Sequence, residues 1–219
     1  MKALILLSGG IDSAVCALIA KRKKREIYGL TFLYNQKHKI EIEKAKKLGK
    51  SLSLKKHFFL KIPAEIFETS SLVNKKLKVP KGLKKDKIPS TYVPSRNLIF
   101  LSIASALAES GGFDEIYIGA NSIDFSGYPD CTPKFIRAFQ NTLNKGTKRG
   151  VEGRAIKILA PLLKMSKAEI IKLGKKLGLD FSLTWSCYSP VKNRYPCGKC
   201  PSCIIRKKGF EEAKINDPL

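Results

Sequence analysis

The apolar run Lys2-Ala3-Leu4-Ile5-Leu6-Leu7 ends abruptly in Ser8-Gly9-Gly10-Ile11-Asp12-Ser13. This junction limits the possible folds more than any other feature of the chain. Residues 2–7 are apolar on both faces of an extended backbone, which suits a central strand of a parallel sheet covered on both sides. Two adjacent glycines allow a tight turn and close backbone approach. A helix predicted from about Ser13 to Lys24 follows, and its N-terminal N–H groups and dipole aim back at the turn. Ser8 and Ser13 add hydroxyls. The arrangement predicts a nest for pyrophosphate. Contact is expected along Leu7, Ser8, Gly9, Gly10, Ile11, Asp12, Ser13, Ala14, Val15, Cys16 and Ala17. Asp12 is a candidate to hold a magnesium ion or to cap the helix, and Cys16, inside the helix, is a candidate for packing. The competing reading is a tight turn that merely contains two glycines. Its place between a first strand and a helix favours phosphate. Neither Gly-x4-Gly-Lys-Ser/Thr nor Gly-x-Gly-x-x-Gly occurs in the chain, so the loop is of another kind.

Further along, apolar runs alternate with helical periodicity. Strands are predicted over 27–33, 58–60, 115–119 and 155–159, and helices over 38–50, 95–109, 132–144 and 166–177. Ser166 and Glu169 form a capping-box pattern, Gly178 marks a helix end, and Pro133 suits a first helical turn. Residues 69–93 are polar and lysine-rich, with Pro80, Gly82 and Pro89, and read as a long mobile loop of the kind that often forms a lid. The expected fold class is α/β with a parallel sheet, with residues 1–184 as the main domain. Residues 185–219 break the pattern and are expected to form a small appended metal-binding region.

That region holds Cys187, Cys197, Cys200 and Cys203, spaced Cys-x9-Cys-x2-Cys-x2-Cys, with Gly198 and Pro201 favouring tight turns. Four thiolates suit tetrahedral zinc, in a structural role because no coordination position stays open. An iron–sulfur cluster is the rival, since Cys-x2-Cys-x2-Cys also serves ferredoxins. Free thiols are the third reading.

The Ser-Gly-Gly-Ile-Asp-Ser loop resembles the signature of the PP-loop ATP pyrophosphatases, which cleave ATP between the α and β phosphates and adenylate a substrate oxygen. Four more segments narrow the resemblance. They are Thr31-Phe32-Leu33-Tyr34-Asn35-Gln36-Lys37-His38, Val93-Pro94-Ser95-Arg96-Asn97-Leu98-Ile99-Phe100, Gly119 through Cys131, and Thr184-Trp185-Ser186-Cys187-Tyr188. Together they resemble the 7-cyano-7-deazaguanine synthase family of queuosine and archaeosine biosynthesis, over nearly the whole chain. The family usually has glycine where this chain has Asn35, and often glycine or alanine at Ser95. The resemblance implies a Rossmann-like PP-loop fold and ATP, ammonia and 7-carboxy-7-deazaguanine as substrates, with magnesium accompanying ATP and a homodimeric assembly. It makes Arg96 a candidate clamp for phosphate or carboxylate, with a surface salt bridge as the alternative. Asp124 and Asp130 are candidates for the donor edge of the base, or for Asx turns. Tyr128 and Phe125 are candidates to stack on the base or to pack, and Asn97 and Cys131 to line the substrate.

Composition refines the partners. The net charge of +24 attracts polyanions, RNA included, but the lysines are scattered with few interleaved aromatics, so a solvated surface explains them better. A tRNA-modifying PP-loop protein and a basic zinc-ribbon nucleic-acid binder are the alternative functions. The first would need an appended RNA-binding domain and the second leaves the glycine loop without purpose, so tRNA is not expected as a direct substrate. No apolar run is long enough to span a bilayer. The N-terminal run is cut short by Ser8-Gly9-Gly10, against a signal peptide. A cytoplasmic location is expected. The length leaves no room for a glutaminase domain, so free ammonia is the expected nitrogen source.

Overall fold

The computed structural model describes residues 1–36, 39–83, 88–122 and 127–219. Five strands, β1 (Lys2–Leu6), β2 (Glu26–Leu33), β3 (His57–Lys61), β4 (Glu115–Tyr117) and β5 (Lys157–Leu159), form one sheet in the order β3-β2-β1-β4-β5. Every neighbouring pair is parallel. The helices are α1 (Ile11–Arg22), α2 (Ile40–Ser51), α3 (Arg96–Gly111), α4 (Pro133–Gly146), the single turn α5 (Lys148–Val151), α6 (Lys167–Lys176) and α7 (Pro201–Ala213).

The sheet is buried on both faces, and β1 shows how. Ala3 and Ile5 join Ala14, Val15, Ile170, Ile171 and Phe210 from α1, α6 and α7. Leu4 and Leu6 join Leu101, Ala104, Ile136 and Phe139 from α3 and α4 on the opposite face. The alternation of successive side chains makes one short apolar run serve two cores, and burial of each large aliphatic side chain contributes about 1.5–3 kcal/mol. α1 is apolar nearly all round because Ala14, Val15, Cys16, Ala17 and Ala20 are all buried.

Most predicted elements stand within two or three residues of their observed bounds. α1 begins at Ile11, earlier than the predicted Ser13, with the N-cap at Gly10 and no side-chain cap. The capping box at Ser166 and Glu169 is present in both directions. Gly178 follows α6 at φ +79°. The prediction missed α7, which starts one residue after Cys200 and places Phe210 and Ala213 in the main core. The segment 69–93 carries no helix or strand among its described residues, yet it is not simply loose. Ser70, Ser71 and Thr91 are buried, Ser71 N–H donates to Ser90 O at 2.8 Å, and Gly82 N–H donates to Lys199 O at 3.1 Å.

The two departures from the family pattern have a backbone explanation. Asn35 has φ +58° and Ser95 has φ +53°, a region where glycine is unstrained and asparagine is tolerated better than other residues. Ser95 is the worse fit, because its hydroxyl makes no capping bond to α3. Ser95→Gly is therefore expected to raise stability by up to about 1 kcal/mol. Thermal unfolding should show a gain of about 2–4 °C for a domain of this size. An unchanged or lower midpoint would mean that Ser95 carries no strain.

Candidate active site

In the order β3-β2-β1-β4-β5 the chain reverses direction of travel between β1 and β4. Loops leaving the carboxyl ends of those two strands diverge to opposite faces and leave a crevice, where ligands bind in open parallel sheets. Here the crevice is a real cleft. Ser8, Gly10, Asp12 and Ser13 line it after β1, and Gly119, Ala120 and Asn121 line it after β4. Gly119 is needed for this approach, since a Cβ there would lie 3.0 Å from the backbone of both Asp12 and Ser13.

The loop between β1 and α1 is held by its own hydroxyls. Ser13 Oγ donates to Gly10 O at 3.0 Å and accepts from Ser8 N–H at 3.2 Å, and Ser8 Oγ accepts from Gly10 N–H at 3.3 Å. Gly9 has φ +89°, and any Cβ there would run into the Glu41 carbonyl. From below, Thr31 Oγ1 donates to Leu7 O at 2.5 Å and lies 2.8 Å from Nε2 of His57. Because the Thr31 proton is committed to Leu7, His57 must donate through Nε2, which fixes its tautomer. Of the residues expected to contact phosphate, Leu7, Ser8, Gly10, Ile11, Asp12 and Ser13 line the cleft. Gly9 is buried beneath it, and Ala14, Val15, Cys16 and Ala17 lie in the core. The Cys16 thiol donates to Ile118 O at 3.6 Å, and burial pushes its pKa well up. Asp12 does not cap α1. Lys167 Nζ lies 2.7 Å from each of its oxygens, and Asn121 Nδ2 donates to one of them at 3.1 Å.

The substrate candidates divide. Arg96, Asn97 and Cys131 line the cleft. Burial opposes the charge of Arg96, but the surrounding Tyr34, Cys131, Tyr188 and Asp130 outweigh it and hold the guanidinium firmly protonated. Asp130 is buried behind the cleft, where its carboxylate accepts from the Asn97 N–H at 2.8 Å in the first turn of α3. It thus fixes the helix that presents Arg96. Asn97 Nδ2 donates to Asp130 O at 3.2 Å and to Cys131 Sγ at 3.1 Å. Tyr128 stacks on Tyr92 with centroids 5.9 Å apart, and its hydroxyl lies 3.0 Å from Thr91 Oγ1. Asp124 and Phe125 lie outside the described residues.

Three charged cleft residues escaped the sequence reading. Glu41 comes from the first turn of α2, Lys167 from the first of α6, and Arg206 from the middle of α7. Arg206 is buried and bidentate on Asp217, with both bonds 2.7 Å, and also donates to Thr184 Oγ1 at 2.9 Å. Spacing gave no sign of Arg206, because the helix that carries it was unrecognised. Glu41 and Lys167 look like ordinary charged residues at helix starts.

The four cysteines converge, their sulfurs all within 4.8 Å of one another. Backbone N–H groups of Ser189 and Cys197 donate to Cys187 Sγ, and that of Cys200 donates to Cys197 Sγ, each at 3.3 Å. Such donors stabilise thiolates, and sulfurs on a tetrahedral ion would lie ~3.8 Å apart. The cluster is a metal-binding group. It also touches the glycine loop, since Trp185 N–H donates to Gly9 O at 2.9 Å while its indole N–H donates to Cys187 O at 2.9 Å.

Fold and cleft together define a PP-loop α/β protein. The same fold appears in the NMN synthetase structure from Francisella tularensis, with a TM-score of 0.53 at 16% identity over 98% of this chain and 78% of that one. The family model for queuosine biosynthesis protein QueC matches residues 2–214. A 7-cyano-7-deazaguanine synthase from Leptospira interrogans is 51% identical over 99% of this chain and 89% of its own length. One from Coxiella burnetii is 49% identical over 99% of this chain and 96% of its own length. The chain belongs to the QueC family. Among the described residues no helix is long and apolar enough to cross a membrane.

The brace under Leu7 predicts a pH effect. Burial, aided by Lys46, lowers the His57 pKa to about 4, against roughly 6.5 when unfolded. Between those values the unfolded chain takes up a proton that the folded chain refuses, so His57 subtracts stability as pH falls through this window. Glu41, raised to about 7 by burial, acts in the opposite sense over an overlapping range. The readout is therefore the difference between wild type and His57→Gln. The variant is expected to lose less melting temperature between about pH 7 and pH 4.5, and parallel curves would refute the assignment.

Proposed function

We propose that the chain converts 7-carboxy-7-deazaguanine and ammonia to 7-cyano-7-deazaguanine at the expense of ATP. The observation that carries this reading is a near-full-length match at about half identity to synthases of that name, on a chain whose glycine loop sits at the sheet's switch point. A carboxylate oxygen attacks the α-phosphorus and pyrophosphate leaves. Ammonia displaces AMP to give the amide. A second ATP activates the amide oxygen, and loss of AMP leaves the nitrile. Activation is required because oxide is a very poor leaving group.

Each group then has a task. Ser8, Gly10 and Ser13, with the first-turn N–H groups of α1, hold phosphate oxygens. Lys167 and Arg96 neutralise charge as pyrophosphate departs. Asp12 is the carboxylate beside the loop suited to the magnesium that accompanies ATP, in exchange for Lys167. Asn97 and Cys131 line the wall next to Arg96 and shape the place of the base. Asp124 and Tyr128 come from the segment before Cys131 and are assigned to the base as well.

The four cysteines hold zinc in a closed, structural site, which suits an all-thiolate set with N–H donors and no open position. Cys187, held by a bound metal, would hold Trp185 through the indole N–H, and the Trp185 backbone N–H holds Gly9, so metal and nucleotide binding are coupled through two hydrogen bonds.

Two measurements test this reading. Mass spectrometry of a reaction with ATP, magnesium, an ammonium salt and 7-carboxy-7-deazaguanine should show the nitrile together with AMP; neither product from metal-loaded protein would overturn the assignment. Elemental analysis should give one zinc per chain, lost in Cys200→Ser, and that variant should bind ATP more weakly and lose about tenfold or more in activity, the range expected when a metal site's support is removed. Stoichiometric iron with visible absorbance would replace zinc by an iron–sulfur cluster.

A further inference from the structure

The proposed chemistry sheds protons, and the cleft must hold a group that takes them. Ammonia joins the acyl-adenylate carbon through its lone pair, so the new nitrogen is cationic until it loses a proton. The C–O bond to AMP then breaks, AMP keeps the electron pair, and the amide results. After the second adenylation the same nitrogen loses its remaining protons as the C≡N bond forms and AMP leaves.

Among the described residues, two carboxylates line the cleft, Asp12 and Glu41. Both oxygens of Asp12 are engaged by Lys167, and one also by Asn121. Asp130 lies behind the wall with its carboxylate on the Asn97 N–H. Glu41 is placed differently. Its backbone carbonyl abuts Gly9 so closely that no Cβ fits between them, which sets this first turn of α2 against the glycine loop. Among the described residues no hydrogen-bond donor sits on its carboxylate. The groups facing it are the Arg96 guanidinium from α3 and the Tyr34 phenol beyond β2.

We propose that Glu41 is the general base of this site, accepting the proton that nitrogen loses when ammonia joins the activated carboxyl carbon, and again as the nitrile forms. The assignment rests on the reaction proposed above. Arg96 beside it favours the carboxylate, while burial dominates and raises its pKa to about 7, the range in which a base works best at neutral pH. Tyr34 is pushed above its ordinary value, chiefly by burial, and stays protonated. It serves as a neutral neighbour.

The test separates the half-reactions. ATP–pyrophosphate exchange dependent on 7-carboxy-7-deazaguanine, without ammonia, reports adenylation alone. Single-turnover nitrile formation reports nitrogen transfer. Glu41→Gln is expected to lower nitrile formation about 10²–10⁴-fold, with exchange affected far less, and Glu41→Asp should recover part of the loss. At a fixed concentration of free ammonia, the wild-type rate should rise with pH through about 7, and that limb should vanish in Glu41→Gln. A glutamine variant that keeps the rate and the limb overturns the proposal. So does one that only raises the KM of exchange for the deazaguanine, which would make Glu41 a recognition residue. Wild type that shows no exchange at all would instead refute the reaction itself.

Discussion

Gly9 is the point at which the architecture is tied together. Its carbonyl accepts the Trp185 N–H at 2.9 Å, and the space its side chain would occupy is filled by the Glu41 carbonyl. Three segments far apart in sequence thus meet on one residue without a Cβ. The first strand delivers it, α2 closes over it, and the stretch leading into the cysteine cluster pins it from the other side. A loop that must present backbone N–H groups to a ligand cannot rely on side-chain packing for rigidity. Here the neighbours add rigidity to what the loop's own Ser8 and Ser13 hydroxyls supply, and the glycine is what lets them come close. The cysteine cluster therefore acts on the cleft at a distance, by holding Trp185, with no ligand atom of its own in the cleft.

The parallel sheet and the glycine loop were legible in the sequence because both rest on local rules. Apolar runs such as 2–7 and 27–33 are doubly buried strands, and a strand–glycine–helix junction has few other uses. Ser166 and Glu169 announced their helix through capping chemistry that involves four residues only. The cysteine spacing announced a ligand set for the same reason. α7 failed that test. Its start, Cys200-Pro201, read as part of a metal knuckle, and its apolar stripe of Cys203, Phe210 and Ala213 is too sparse to stand out from the basic residues between. Only docking onto α6 explains why it is a helix.

The cleft was legible only in part, and tertiary approach is the reason. Glu41, Lys167 and Arg206 reach it from three different helices, and none belongs to a local pattern. The converse also holds. Asp130 sits in a segment that resembles the family closely, yet its carboxylate secures the first turn of α3 and its side chain lies behind the wall. A motif can mark a site while half its members hold up the other half. Asn35 and Ser95 make the same point through the backbone. Both occupy left-handed conformations that the turn demands, so the glycine preference there reflects geometry rather than contact with a ligand.

The electrostatics of the cleft differ from those of the surface. The chain carries +24 overall, and pairs such as Lys46-Lys47 and Lys175-Lys176 are exposed. Their field is screened within about 8–10 Å at ordinary ionic strength, so it attracts anions without selecting among them. Among the described residues, each cation lining the cleft has an acid to face. Lys167 is on Asp12, Arg206 on Asp217, and Arg96 opposes Glu41. An unpaired cation at these depths would be costly to bury, whereas a pair is tolerable and keeps its members in position. An anion that reached these cations would have to compete with the carboxylates already paired to them. The selectivity of such a site lies in which pairs the ligand can reach and replace, and that is a property of three helix starts, the middle of α7 and one glycine loop rather than of the protein's net charge.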